Sequence, residues 1–331
     1  MDWNAINNIL ETEPKFRRDQ VREAIFHRNI TNWDQASNLS KILRDKLKAA
    51  TSLDISAQFF YSKDSKTTKA LVTLTDGLKI EAVLMHHADR FTVCVSSQVG
   101  CPLACVFCAT GKLGLKRNLT AEEIAEQVLL FNRQLRETGE RVTNVVFMGM
   151  GEPFLNYDNV MTAARMLNNP KLFNISARKI SISTIGIVDA IEKFSNEKED
   201  FNLAISLHAP EEKLRQRLIP ASKKYSLRKL INAIDNYLED KNRKVMIEYL
   251  LIDGVNDSPE HAEALAELLR DKLVMVNVIV YNSTNKFKAP PVERVKLFVN
   301  TLIRNKIQVI ERYRFGQDIH AACGQLALKN C

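Results

Sequence analysis

From residue 91 onward the chain alternates short β-rich runs with helical patterns, and this alternation constrains the fold more than any other feature of the 331 residues. The runs fall at 91–97, 143–148, 179–184, 202–207, 244–250, 274–281 and 307–313. Apolar residues at helical spacing fill the gaps near 120–137, 156–168, 226–240, 259–272 and 291–305. Strands that alternate with helices pair in parallel, because each crossover helix returns the chain to the same end of the sheet. The predicted class is therefore α/β. In such folds reactive residues gather at the C-terminal ends of the strands. The unusual residues fall there: a cysteine-rich loop after the first run, Gly149-Met150-Gly151-Glu152-Pro153 after the second, Ser183 in the third, Ser206-Leu207-His208 ending the fourth and Asn282 after the sixth.

Before residue 91 the pattern differs. Segments 5–11, 19–27 and 34–50 carry apolar residues at helical spacing, and no glycine precedes Gly77, which predicts a helical accessory block over 1–52. The β-like runs 55–61, 70–75 and 78–85 follow, with Asp76-Gly77 as a hairpin turn between the last two. Residues 53–88 are thus expected to form a β-rich connector, and 89–331 the catalytic domain. No apolar run approaches the roughly 18 residues of a membrane span. Met1-Asp2-Trp3-Asn4 lacks the basic and apolar regions of a signal peptide, so the expectation is a cytoplasmic protein with no membrane partner. The formal net charge is +8, and residues 282–331 hold nine Lys or Arg against three Asp or Glu. A one-sided basic surface suits a phosphate backbone, although a solvated helix face would carry the same charge.

Four of the six cysteines stand at 94, 101, 105 and 108. Cys101, Cys105 and Cys108 follow the first run in a loop that a helix beginning near Thr120 closes. Four thiolates would complete a tetrahedral zinc or a four-iron cluster, whereas three leave a coordination position open to a small molecule. The plainer readings are a zinc loop with a fourth ligand from elsewhere, and unrelated core thiols. The glycines of Gly149-Met150-Gly151-Glu152-Pro153 let the backbone approach a ligand and Glu152 can accept from an ammonium group, though the pattern alone is also a tight turn. Ser183, Ser206, His208 and Asn282 are ordinary strand-end residues singly; their common edge makes them candidate ligand contacts. Cys94 lies on the face of its strand opposite Phe91, Val93 and Val95, and a lone strand cysteine is usually a buried packing residue. Glu81, which interrupts an apolar alternation, reads as an edge-strand charge or as a partly buried base with a raised pKa. Cys323, beside Gly324 in a flexible segment, is oddly placed for packing, and Cys331 looks incidental.

Together, Cys-Val-Ser-Ser-Gln-Val-Gly-Cys, Cys-Ala-Thr-Gly, Leu-Lys-Arg-Asn-Leu-Thr, Gly-Met-Gly-Glu-Pro, Ser-Leu-His-Ala-Pro and Ala-Ala-Cys-Gly-Gln-Leu resemble the RlmN/Cfr family of radical S-adenosylmethionine (SAM) RNA adenosine methyltransferases, over roughly residues 80–326. The resemblance implies a partial (β/α)6 radical SAM barrel, a small N-terminal helical RNA-binding domain and a connecting β-hairpin. It implies that Cys101, Cys105 and Cys108 hold a [4Fe-4S] cluster whose fourth iron binds SAM, with Gly151, Glu152, Ser183, Ser206, Leu207, His208 and Asn282 as SAM contacts. Adenine carbons 2 and 8 are electron-poor, so a radical route is needed. By resemblance, Cys323 takes a methyl group from one SAM, a second SAM is cleaved at the cluster, and the resulting radical takes hydrogen from the methylated Cys323. The carbon radical then adds to adenine. Cys94 resolves the adduct by a disulfide with Cys323 after Glu81, thirteen residues before it, accepts the ring proton.

The implied substrates are 23S rRNA, at its peptidyl-transferase region, and tRNA, beside the anticodon, in each case a base splayed out of its stack. The implied partner is a one-electron reductant such as flavodoxin or ferredoxin, and the implied state a monomer. Pro153 and residues 206–210 look RlmN-like, which favours methylation of carbon 2. Phe315-Gly316 and residues 108–120 and 179–187 look closer to the Cfr-like branch, whose product is methylated at carbon 8. His320 stands where the family commonly has an acid, and Ser283 replaces a common proline. The competing reading from another class is an RNA-binding protein with a structural metal loop; it leaves Cys94 and Cys323 without a role.

Overall fold

Amphipathic stripes build the first helices of the chain, whose computed structural model describes residues 1–284 and 286–328; Lys329 and Cys331 lie outside the described residues. Helices α1 (Trp3–Glu11) and α2 (Lys15–Arg22), the latter running on as a π-helix over Glu23–His27, precede α3 (Lys41–Ala50). The helix expected over 34–50 is broken. Trp33–Gln35 makes a single 3-10 turn, and α3 starts where the Ser40 hydroxyl accepts from the Leu43 N–H at 3.3 Å. The intervening Ser37, Asn38 and Ser40 favour caps and turns over helix interior.

Strands β1 (Ala57–Tyr61), β2 (Thr67–Thr73) and β3 (Lys79–His87) are antiparallel, and β3 pairs antiparallel with β4 (Arg90–Cys94), so the hairpin is part of the main sheet rather than a piece standing off it. The short β5 (Gln98–Gly100) and β6 (Leu115–Asn118) pair with each other around the cysteine loop. Helix α4 (Ala121–Leu135) leads to β7 (Asn144–Phe147), which lies parallel to β4. The alternation continues through α5 (Tyr157–Asn168), β8 (Ile180–Thr184), α6 (Val188–Ser195), β9 (Asn202–Ser206), α7 (Glu212–Leu218), α8 (Leu227–Lys241), β10 (Val245–Leu251), α9 (Pro259–Leu268), β11 (Val274–Val280), α10 (Val292–Arg304) and β12 (Val309–Glu311). Every neighbouring pair from β7 to β12 is parallel. The ten strands order β1-β2-β3-β4-β7-β8-β9-β10-β11-β12. Helices α6 and α7 were not anticipated, each being under three turns.

The helical block is fastened to α4. Trp3 Nε1 donates to Glu126 Oε1 at 2.5 Å, the terminal amino group meets Glu126 Oε2 at 3.1 Å, and Arg133 donates to the carbonyls of Leu53 and Ile30. Glu126 is buried, and an unpaired carboxylate there would be costly. Among the described residues no helix is long and apolar enough to cross a membrane.

Candidate active site

The C-terminal strand ends open into one cavity, and most of the sequence-predicted residues line it: Cys94, Cys101, Cys105, Cys108, Gly151, Glu152, Ser183, Ser206, His208, Asn282 and Cys323. Its wall is set by the glycine motif. A Cβ on Gly149 would lie 2.7 Å from the Val95 carbonyl, and Gly151, at φ +104°, would bring one to 2.7 Å from Gln98 Cβ. Both glycines therefore let the loop after β7 press on the segment between Cys94 and Cys101. Met150 between them is fully buried; its N–H donates to Ser96 Oγ at 2.9 Å and its carbonyl accepts from Ser97 at 2.8 Å. The Glu152 carboxylate accepts from the N–H groups of Phe154 and Ile185, at 3.0 and 2.9 Å, and burial pushes it up to about 7.

Among the described residues, Cys94, Cys101, Cys105, Cys108 and Cys323 are all free thiols. Burial pushes Cys94 and Cys101 up to about 12, and raises Cys105 well above the ordinary range, with the neighbouring cluster-loop thiols adding to it. Cys323 is exposed, through the cavity, yet enough protein surrounds it that burial still raises its thiol, partly offset by the Arg312 guanidinium. Three thiols facing one cavity make a donor set suited to an iron-sulfur group with one corner left for a ligand. Among the described residues no three His, Cys, Asp or Glu side chains converge on the spacing of a single-metal site.

The C-terminal segment lies on the cysteine loop. Ala109 N–H donates to the Gly324 carbonyl at 2.8 Å and Thr110 Oγ1 to that of Leu326 at 2.7 Å. Asn282 Nδ2 reaches the Cys323 carbonyl at 3.4 Å while its Oδ1 accepts from Gln317 at 2.7 Å, so Asn282 ties down the strip that carries Cys323. Ser183 and Ser206 face each other at 3.4 Å between hydroxyls. His208, in a left-handed backbone at φ +59°, accepts from the Leu250 N–H at Nδ1, which leaves its proton on Nε2. Burial, then the nearby Arg215 charge, depress it to about 3, so it is a neutral donor.

Two of the expected residues lie outside this cavity wall. Leu207 is fully buried in the core. Glu81 is buried with Oε1 3.1 Å from Lys69 Nζ and Oε2 accepting from the Leu328 N–H at 3.1 Å. Since β3 is an interior strand, the edge-strand reading of Glu81 does not hold. Sequence reasoning missed Glu248 and Arg312, which also line the cavity; Glu248 accepts from Asn277 at 2.8 Å and pairs with Arg312 at 3.5 Å. A lone acid inside the apolar run of β10 was the available signal.

A family model described as the Radical SAM superfamily matches residues 95–269, and one described as a ribosomal RNA large subunit methyltransferase N-terminal domain matches 9–53. A probable dual-specificity RNA methyltransferase RlmN 2 of Protochlamydia amoebophila is 43% identical over 321 residues, 96% of this chain and 90% of its own. The chain belongs to the RlmN family. A second RlmN relative, from Thermotoga maritima, is 44% identical over 319 residues, covering 95% of this chain and 92% of its own. The crystal structure of a radical SAM methyltransferase from Sphaerobacter thermophilus superposes with a TM-score of 0.92 at 42% identity, covering 97% of this chain and 96% of that one. RlmN membership makes the protein a radical SAM RNA methyltransferase, and implies a [4Fe-4S] cluster, SAM and an RNA substrate.

Proposed function

We propose that the protein methylates carbon 2 of an adenosine in 23S rRNA and in tRNA, the substrates its motifs imply by resemblance; its relatives are described as dual-specificity RNA methyltransferases. The observation that carries this reading is the meeting of Cys323, Cys94 and the three-thiol loop in one cavity. Cys101, Cys105 and Cys108 are the residues to hold the cluster. When bound, the cluster would supply the one-electron chemistry that reductive cleavage of SAM needs, beside the Cys323 thiol that lines the same cavity.

The protein's own groups do the rest. Glu152 is a buried acceptor suited to the SAM ammonium; Ser183, Ser206 and the Nε2–H of His208 are suited to its hydroxyl and carboxylate oxygens. Cys323 is the accessible thiol and so the methyl carrier, and Cys94 beside it is the thiol that closes on Cys323 to release the product. Arg312, whose charge both thiols feel, offsets part of the burial that holds them protonated. Glu81 is the proposed proton acceptor; its carboxylate is held by Lys69 on one oxygen and by the Leu328 N–H of the C-terminal strip on the other. The enzyme draws electrons from a one-electron donor of the flavodoxin or ferredoxin type and works as a monomer; the helical block at 1–52 serves as its RNA-binding accessory.

The test is to reconstitute the enzyme without oxygen, incubate it with SAM, a reductant and 23S rRNA or tRNA, and digest the RNA for mass spectrometry against both methyladenosine standards. The reading expects 2-methyladenosine, lost in Cys323→Ala. A peak of 8-methyladenosine would instead assign the Cfr-like product, and no methylated adenosine from the parent enzyme would overturn the proposal.

A further inference from the structure

Beside the mouth of the cavity the chain builds a cluster that the chemistry above does not use. His87, at the end of β3, meets Tyr313 and Phe315 with ring centroids 5.9 and 6.1 Å away, and Tyr313 and Phe315 lie 4.7 Å apart at 57°. Tyr313 is 50% exposed, so part of its ring is open to solvent beside the cavity. Lys66 Nζ stands 5.8 Å over its ring, and Arg314 beside it is exposed, so the aromatic surface is edged with positive charge.

The cluster is fixed in place. A Cβ on Gly316 would meet Thr67 Cγ2 at 2.7 Å, so the strip after β12 seats directly on β2, and the Lys63 N–H donates to Asp318 at 2.8 Å to hold its far side. Tyr313, Arg314 and Phe315 also line the cavity, so the platform is continuous with the place where Cys323 lies.

We infer that His87, Tyr313 and Phe315, with Lys66 and Arg314, form a stacking platform for an unpaired nucleotide next to the adenosine whose base enters the cavity. Exposed aromatic faces take any base by its π-face, and flanking cations take the phosphates, which is how single-stranded RNA is gripped without base-edge readout. The platform would hold the target's neighbour splayed from the stack and keep the flipped adenosine over Cys323. The inference rests on the reading of the protein as an enzyme acting on an adenosine in this cavity.

The experiment uses the reconstituted enzyme and a synthetic RNA stem-loop carrying the target adenosine, with 2-aminopurine at either neighbouring nucleotide. Stacking predicts fluorescence quenching at one neighbour. Tyr313→Ala and Phe315→Ala should lose that quenching and weaken RNA binding roughly 5- to 150-fold, the range for one stacked base, while Tyr313→Trp retains both. An abasic site at that neighbour should weaken binding to the unaltered enzyme by a similar factor, a result that needs no protein variant to fold. If neither the abasic RNA nor Tyr313→Ala binds more weakly, while the parent enzyme methylates the RNA in a Cys323-dependent way, the platform is refuted and the enzymatic reading stands. If the parent methylates nothing, it is the enzymatic reading that fails.

Discussion

At the scale of single residues, the site depends on a few positions with no tolerable substitute. Gly151→Ala puts a side chain at φ +104° and 2.7 Å from Gln98, and the backbone strain alone costs about 1–3 kcal/mol; chemical denaturation should show that loss together with lower iron content on reconstitution. Lys69 and Glu81 are a buried ion pair, so Lys69→Met strands a carboxylate and should cost about 3–5 kcal/mol, most of it regained in Lys69→Met with Glu81→Leu. His208 gives a pH signature. Its folded pKa near 3 lies below the unfolded value of about 6.5, so the unfolded chain binds the extra proton and stability falls as pH drops from about 6.5 toward 3. His208→Asn, which keeps an acceptor for the Leu250 N–H but does not titrate, should flatten that decline in denaturation midpoints between pH 6 and 4; an unchanged slope would contradict the assignment. The Cys101, Cys105 and Cys108 loop and the Gly-Met-Gly-Glu-Pro motif were legible in sequence because their spacing is local. The Glu248–Arg312 contact was not, since it joins residues far apart in the chain, and the Lys69–Glu81 pair was not, since the Asp76-Gly77 turn signals a hairpin without fixing which residues meet across it.

At the scale of elements, α4 is the brace of the site. Its Gln127 side chain accepts from Ser96 N–H at 2.8 Å and donates to the Ser96 carbonyl at 3.0 Å, gripping the backbone two residues past Cys94. The helix starts at a capping box in which Thr120 and Glu123 each bond the other's backbone, and Arg117 adds a salt bridge to Glu123 at 2.8 Å. Thr120→Ala should therefore cost about 1 kcal/mol in urea denaturation, while Thr120→Ser should cost little. Strand positions were readable because buried parallel strands are continuous apolar runs, and the start of α4 because Thr-x-x-Glu precedes an apolar stripe. The short helices α6 and α7 and the break before α3 were not, because two turns carry too little periodicity and caps inside a helical pattern look like helix.

At the scale of the whole molecule, the helical block and the barrel share buried charges, so the block is not a detachable module. Deleting residues 1–52 would leave Glu126 without Trp3 and the amino terminus, and Arg133 without the Ile30 carbonyl, on a face made apolar to receive the block. The truncated chain should melt well below the parent or aggregate; a truncation with an unchanged melting temperature would show that the two parts are independent. The same closure brings the strip after β12 over the cysteine loop, and with it Cys323, a residue that sequence pattern alone could only mark as oddly placed. The proposed activity stands or falls on Cys323 as the carrier of the methyl group to RNA inside this cavity. Its most direct test is peptide mass spectrometry of the anaerobically reconstituted enzyme after incubation with methyl-deuterated SAM, before and after a single turnover with RNA. The expected result is a labelled methyl group on the Cys323 peptide that disappears as labelled methyladenosine appears, with none on Cys94. RNA that gains the label while Cys323 is never methylated would contradict it.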